Sequence, residues 1–222
     1  LATCAAAAPR GMEHIEVEVR FDWDEVVEAR VAALSTRPVC ETVFVDVYFD
    51  GPGHSLTLQN VWLRRRADAW ELKLPNASDP GSYTEVVDET RIREALESRL
   101  GVAPFVELDL AEALSAAEVR PFAEIRTRRR SYVLDGESRS VHADLDLEET
   151  TGLRVGELEL QLPREATGVE VLEARDVLER LASREGWQVR RRGGNKLLHY
   201  LQRHDVAHYE ALVKMIKGGS TS

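Results

Sequence analysis

EHIEVEVRF, residues 13–21, decides the fold because polar and apolar side chains alternate along it from His14 to Phe21. Apolar residues occupy positions 15, 17, 19 and 21, and charged residues occupy 16, 18 and 20. A period of two is that of a β-strand, whose successive side chains point to opposite faces. Related alternation recurs at residues 42–49, 61–66, 70–74, 123–134, 141–147 and 157–162. The sequence therefore predicts seven or eight strands.

Helices are predicted where apolar residues recur at helical spacing between the strands. The predicted helices cover residues 24–34, 90–100, 169–185 and 206–216. Neither a repeat of fixed period nor a Pro/Gly linker divides the chain. We expect one α+β domain over residues 12–217, preceded by a disordered extension over residues 1–11 and followed by a disordered tail over residues 218–222.

Composition narrows the class of protein. A chain of 222 residues with 43% hydrophobic and 31% charged residues is typical of a soluble globular protein. A net charge of −10 argues against non-specific coating of nucleic acid, and no apolar run approaches the ~20 residues that span a bilayer. With only two cysteines, we expect Cys40 to be a small buried thiol in a cytoplasmic protein. We expect a monomer with neither nucleic acid nor membrane as a partner.

The polar faces of the predicted strands carry an unusual set of side chains. Carboxylates stand two residues apart in three pairs, which are Glu16/Glu18, Asp144/Asp146 and Glu157/Glu159. Like charges so placed repel, so the pairs indicate a divalent cation such as Mg²⁺ or Mn²⁺, and nearby arginines and lysines indicate a phosphate ligand. A solvated sheet would also show one polar face. If the apolar faces pack against helices, however, the charged faces share the interior of a closed barrel.

These residues carry a resemblance to a known family. Glu16-Val17-Glu18-Val19-Arg20 is similar to the ExExK signature that opens the CYTH domain, the fold of the triphosphate tunnel metalloenzymes. Further segments that resemble the family follow in order, namely WLRRR at 62–66, WELKLP at 70–75, DLD at 144–146, VGELE at 155–159 and KLLHYLQR at 196–203. Within the family the chain looks most like the thiamine triphosphatases. Arg20 departs from the signature, where lysine is usual.

The resemblance implies an eight-stranded antiparallel β-barrel with flanking helices, whose tunnel holds the site. The implied metal ligands are Glu16, Glu18, Asp144, Glu157 and Glu159, with Asp146 supporting them. The implied substrate contacts are Arg20, Trp62, Arg64, Arg66, Lys73, Arg129, Glu157 and Lys196. The implied catalytic residues are Glu16, Glu18, Glu157, Glu159 and Lys196. An ungapped match selects Arg129, whereas strand parity leaves Arg128 and Arg130 open.

Two tryptophans receive different predictions from their parity along the strands. Trp70 shares a face with Leu72 and Leu74, so we expect it to pack in the core. Trp62 shares a face with the predicted tunnel arginines, so stacking at the tunnel mouth and packing both stay open.

The activity that the resemblance implies is Mg²⁺-dependent hydrolysis of thiamine triphosphate, or of another small triphosphate, to the diphosphate and phosphate. Inorganic tripolyphosphatase and CYTH-class adenylate cyclase remain alternatives, because motifs that bind three phosphates do not distinguish them. A polyphosphate-binding module without turnover is a further alternative. The carboxylate pairs argue against it, since binding an anion alone requires no metal ligands.

Overall fold

The computed structural model describes residues 14–76, 79–101, 108–135, 140–190 and 196–218, and within them eight strands close into one antiparallel barrel. Around the barrel the order is β1-β5-β4-β3-β2-β6-β7-β8. The strands are β1 (His14–Phe21), β2 (Cys40–Asp50), β3 (Trp62–Arg66), β4 (Ala69–Asn76), β5 (Asp79–Val86), β6 (Arg120–Asp135), β7 (Ser140–Glu148) and β8 (Arg154–Pro163). The predicted barrel is confirmed, and the predicted extension over 1–11 lies outside the described residues.

Helices flank the barrel on several sides. They are α1 (Glu25–Leu34), α2 (Glu89–Leu100), α3 (Leu110–Ala116), α4 (Gly168–Arg184), α5 (Lys196–His204) and α6 (Val206–Gly218), with short 3₁₀ turns at Pro52–His54 and Thr57–Gln59. The four predicted helices are present within two residues at each end. None of the described helices is long and apolar enough to cross a membrane.

One strand and two helices were not predicted from the sequence, namely β5, α3 and α5. The β5 strand begins Asp-Pro-Gly-Ser, which reads as a turn, and only pairing with β1 and β4 extends it. Helix α3 is seven residues long, and its capping box around Asp109 is the main local signal. The segment of helix α5 contributes Lys196 to the predicted site, but it was not predicted to be a helix.

A tight hairpin between β3 and β4 sets which side chains face the lumen there. Arg66 pairs with Ala69, which leaves a two-residue loop in which Ala67 adopts a positive φ of 52°. Two-residue loops fix the register of a hairpin, and a one-residue slip would turn every side chain to the other face. The loop thereby holds Arg64 opposite Glu71.

The apolar faces of the strands form cores outside the lumen. The odd-numbered residues of β1 pack with β7, β8 and helix α4 in one core, whereas Leu63, Trp70 and Leu72 pack with α2 and α3 in another. A third cluster joins α5 and α6 to Ile125 of β6. Because the apolar faces are covered by helices, the charged faces are left to line the barrel interior. Trp70 is buried as predicted.

Cys40 differs from its prediction. It lies at the first position of β2 and is only partly buried, rather than being fully buried. The cytoplasmic location stays a prediction.

Gly156 gives a test of how tightly the first core is packed. A Cβ at this position would lie 2.4 Å from Cζ of Phe21, whose ring stacks on Trp187 with centroids 4.9 Å apart. We expect Gly156→Ala to lower the free energy of unfolding by about 1–3 kcal/mol in urea titrations, the usual cost of overpacking. Phe21→Leu in the same chain makes room for the methyl group, so the double variant should lose less than the two single losses added together. Additive losses would show that the two residues do not compete for space.

Candidate functional site

Carboxylates concentrate on one side of the lumen, along three strands that are neighbours in the barrel order. Between β1 and β8 the register places Glu18 opposite Glu159, and between β7 and β8 it places Asp144 opposite Glu157. We call this side the acidic wall, and it comprises Glu16, Glu18, Asp144, Glu157 and Glu159. The structure thus brings together the five carboxylates that were predicted as metal ligands.

Cations concentrate on the other side, along β3, β4 and β6 and at the start of α5. We call this side the basic wall, and it comprises Arg64, Arg66, Lys73, Arg129 and Lys196. Arg20 belongs to β1 and therefore lies among the carboxylates. The predicted substrate contacts are brought to the same lumen as the predicted metal ligands.

Asp46 of β2 organises one half of the basic wall. Its two oxygens accept hydrogen bonds from Nε and Nη2 of Arg66 at 2.7 and 2.9 Å, and Arg64 lies 3.6 Å away. The Asp46 side chain has no exposed surface. Burial would raise its pKa, but the two guanidinium groups and Lys196 outweigh burial and lower it. Arg64 also forms an ion pair with Glu71 across the β3–β4 hairpin. The two arginines are therefore fixed by buried carboxylates.

Asp146 organises the other half of the basic wall. Its two oxygens accept hydrogen bonds from Nε and Nη2 of Arg129, both at 2.7 Å, and it also binds Nζ of Lys196. The attraction of these cations outweighs burial and lowers the pKa of Asp146 far below its usual range. Asp146 thus fixes cations of the basic wall, and because Arg129 also reaches Asp144 and Glu157, its predicted support of the metal ligands stays a prediction.

An aromatic ring lies among the cations of the basic wall. The guanidinium carbon of Arg66 is 3.8 Å from the ring centroid of Phe44, that of Arg129 is 5.4 Å from it, and Nζ of Lys196 is 5.7 Å from it. Cations over an aromatic face are attracted by its quadrupole. Phe44 thus separates three like charges and attracts each of them.

The structure decides between the three arginines that strand parity left open. Arg129 faces the lumen and also contacts Asp144 and Glu157, the latter at 3.3 Å. Arg128 and Arg130 point outwards and pair with exterior glutamates. Arg129 is therefore the arginine of this segment that lies in the tunnel.

Two cations form ion pairs with the acidic wall: Arg20 joins two of its strands, and Lys73 joins it to β4. Arg20 binds Glu18 on its own strand, and its Nε lies 3.2 Å from Oε1 of Glu157 on β8. Lys73 pairs with Glu16, and burial, which would raise the pKa of Glu16, is outweighed by Lys73, so that the pKa falls to about 2.

Glu159 is the least compensated carboxylate of the acidic wall. Burial, with Glu16 and Asp144 adding to it, raises the pKa of Glu159 well above its ordinary value. Among the described residues, its hydrogen bond is to Gln161 at 2.9 Å. Burial also raises the pKa of Glu18 and Asp144. Clustered hard oxygen donors with too few nearby cations are the donor set that a divalent cation such as Mg²⁺ fits.

Trp62 lies at the end of the lumen where α5 and α6 pack. It is half-buried and contacts the apolar cluster formed by these helices and β6. The register places it opposite Lys73, on the same face of β3 as Arg64. Its ring thus borders both the packed cluster and the basic wall, so both alternatives raised from the sequence have a structural basis.

The described residues of the lumen that were not predicted as site residues include Phe44, Asp46, Glu71, Tyr83 and Glu85. Asp46 had one visible signal, since it interrupts the apolar run of β2. Glu71 shares a face with Lys73 on β4, which also could have identified it. Nothing local marks Glu85, because the strand that carries it was not predicted.

A second group of ionisable side chains lies outside the lumen. Asp50, His54 and His208 offer ligand atoms within 4.8 Å of one another. The carboxylate of Asp50, however, accepts hydrogen bonds from the backbone N–H groups of residues 51, 56 and 57 and from the Thr57 hydroxyl. The two imidazoles stack with centroids 3.6 Å apart, so their lone pairs do not converge. This geometry favours docking of α6 over metal binding.

Glu85 makes the stability of the metal-free protein depend on pH. Burial and the charge of Glu71 raise its pKa from 4.5 to about 8 despite Lys73 at 3.8 Å. Between these pH values the unfolded chain loses the proton and the folded chain keeps it, so stability falls as pH rises. We expect Glu85→Gln to remove up to about 1.4 kcal/mol per pH unit of this slope in urea titrations with EDTA from pH 5 to 8. Glu94→Gln on the exposed face of α2 is the control, and equal slopes in wild type and Glu85→Gln would contradict the assignment.

Comparison with known proteins agrees with this architecture. Residues 14–192 match the CYTH domain family. Thiamine-triphosphatase of Homo sapiens is 32% identical over 211 residues, covering 90% of each chain. The solved structure of protein PH1819 of Pyrococcus horikoshii has a TM-score of 0.52 at 18% identity, covering 83% of this chain and 98% of that one. Hippeastrum HpAC1, described as having a dominant triphosphatase activity, has a TM-score of 0.51 at 15% identity, covering 85% and 95%. These two structures show the shared fold, and with the family match they lead to the conclusion that the chain belongs to the CYTH domain family.

Proposed function

We propose that the protein hydrolyses thiamine triphosphate to thiamine diphosphate and orthophosphate, with Mg²⁺ or Mn²⁺ held by the acidic wall. The observation that carries the proposal is the acidic wall facing the basic wall inside one closed barrel. A polyanion requires the cations, and the metal requires the carboxylates. The 32% identity to human thiamine-triphosphatase supports the choice of substrate.

The basic wall would bind the phosphate groups of the substrate. Arg64 and Arg66 are held in place by Asp46, so their guanidinium groups need little reordering when phosphate oxygens arrive. Arginine binds phosphate through paired hydrogen bonds, and charged hydrogen bonds of this kind are among the strongest in proteins. Arg129 and Lys196, both held by Asp146, extend the cationic surface towards α5.

The chemical step would be in-line attack of water on the terminal phosphorus. Bound by Glu16, Glu18, Asp144, Glu157 and Glu159, the divalent cation would neutralise charge on the phosphate oxygens. A carboxylate of the acidic wall would take the proton of the attacking water as the new P–O bond forms. The bond to the bridging oxygen breaks, and Lys196 would stabilise the charge that develops on the leaving diphosphate.

The direct test is phosphate release from thiamine triphosphate, tripolyphosphate and ATP, each assayed with Mg²⁺ and with EDTA. We expect turnover with Mg²⁺ only and a preference for thiamine triphosphate. Release from tripolyphosphate alone would shift the assignment to an inorganic triphosphatase. Absence of release from all three substrates would contradict the proposal.

Glu159 tests the role of the acidic wall. Glu159→Gln keeps the size of the side chain but removes a charged ligand, so we expect kcat/KM to fall about 100-fold or more, since even residues that only support metal ligands cost 10–100-fold. Glu124→Gln, on the exposed exterior of β6, is the matched control and should retain activity. Thermal unfolding should show that both variants fold.

Two results would contradict a role of the metal in turnover. One is wild-type turnover that persists after exhaustive EDTA dialysis, and the other is a Glu159→Gln variant that is as active as the control.

Trp62 tests how the organic end of the substrate is recognised. A thiazolium cation over an indole gains about 0.5–2 kcal/mol, whereas tripolyphosphate has no such group. We expect Trp62→Ala to lower kcat/KM for thiamine triphosphate about threefold or more and to leave tripolyphosphate nearly unchanged. Trp62→Phe keeps an aromatic face, so its kcat/KM for thiamine triphosphate should lie between the values of wild type and Trp62→Ala. Equal losses on both substrates would identify Trp62 as a packing residue of the α5–α6 cluster.

A further inference from the structure

Asn60 connects two aromatic side chains at the α5–α6 end of the lumen. Its Oδ1 accepts a hydrogen bond from the indole N–H of Trp62 at 3.0 Å and another from the hydroxyl of Tyr83 at 3.1 Å. The indole nitrogen can only donate, so the oxygen of the amide, and not its nitrogen, must face Trp62. One side-chain oxygen therefore fixes rings from β3 and β5, on either side of β4.

The backbone around Asn60 is held rigidly. Asn60 ends the second 3₁₀ turn in the left-handed conformation, with φ of 60° and ψ of 29°, and its N–H binds the carbonyl of Thr57 at 2.9 Å. Thr57 is in turn bound through its hydroxyl to the buried Asp50. The backbone of Asn60 is thereby fixed by the turn, independently of the half-buried rings that its side chain contacts.

The backbone alone does not explain asparagine here. Glycine adopts positive φ at no steric cost, and it would serve the turn equally well. What asparagine adds is the acceptor. Tyr83 lies opposite Glu16 in the register, and paired residues share a face of the sheet, so this ring also lines the lumen. With its hydroxyl proton donated to Asn60, the oxygen of Tyr83 offers lone pairs to its other neighbours.

We propose that Asn60 is a positioning residue that determines specificity, because it holds Trp62 and Tyr83 as an electron-rich surface for an aromatic cation attached to the triphosphate. This inference rests on the proposed function and deepens it. Without the acceptor, the indole would be held by packing on one side only and would lose its defined orientation. The phosphates, bound by the basic wall, would not be affected.

The test compares kcat/KM for thiamine triphosphate with that for tripolyphosphate in wild type, Asn60→Gly and Asn60→Asp. Asn60→Gly keeps the backbone and removes the acceptor, so the ratio should fall about three- to tenfold, the factor that the loss of one neutral hydrogen bond produces. Asn60→Asp keeps the acceptor and tolerates positive φ, so it should retain the ratio. Its added charge would attract the cationic ring, which tripolyphosphate lacks, so the ratio should be at least that of wild type. Glu118→Gly, at an exposed left-handed position with φ of 57°, controls for the added glycine.

The outcomes separate this inference from the function on which it rests. If wild type releases phosphate from neither substrate, the proposed function fails before any variant is assayed. If wild type is active, an unchanged ratio in Asn60→Gly overturns the role of Asn60. Equal losses on both substrates, loss of the ratio in Asn60→Asp, or a wild type without preference for thiamine triphosphate would overturn it as well.

Discussion

Closure of the sheet means that an inward acidic or basic group is stabilised inside the barrel either by a counter-ion or by a shift of its pKa towards the neutral form, and the remaining structure follows from this constraint. A buried unpaired charge costs several kcal/mol, so inward groups keep their charge where carboxylates and cations meet. Asp46 and Asp146 meet this need for the basic wall, since each carboxylate holds more than one cation. The wall can therefore present several cations to a ligand while remaining folded without one.

The acidic wall is built differently, and the contrast indicates what each wall binds. Its cations pair with particular members, Lys73 with Glu16 and Arg20 with Glu18 and Glu157. Glu159 and Asp144 keep raised pKa values, chiefly because they are buried near other carboxylates. The basic wall holds its cations paired with buried carboxylates, whereas the acidic wall crowds carboxyl groups whose ionised form an added cation would stabilise.

The parts of this arrangement that could be predicted are those that a single strand encodes. Alternation in residues 13–21 predicts both the strand and the face on which Glu16 and Glu18 lie, because side-chain direction in a strand depends only on parity. Pairing across the barrel is not encoded in this way. The sequence did not predict that Asp146 binds Arg129 and Lys196, because one partner lies on a neighbouring strand and the other on a helix at the barrel end. Nor did it predict β5, whose first residues favour a turn and whose strand geometry depends on its two neighbours.

Arg20, where lysine is usual in the family signature, shows how one substitution is accommodated by the same constraint. A lysine ammonium is a compact charge, whereas a guanidinium presents donors in a planar fork. Arg20 uses that fork to reach Glu18 through Nη2 and Glu157 through Nε, which joins two neighbouring strands of the acidic wall. These carboxylates are thereby held at a fixed separation by one side chain. The substitution preserves the charge that balances the wall and adds a crosslink between β1 and β8, next to Glu159, whose pKa stays raised.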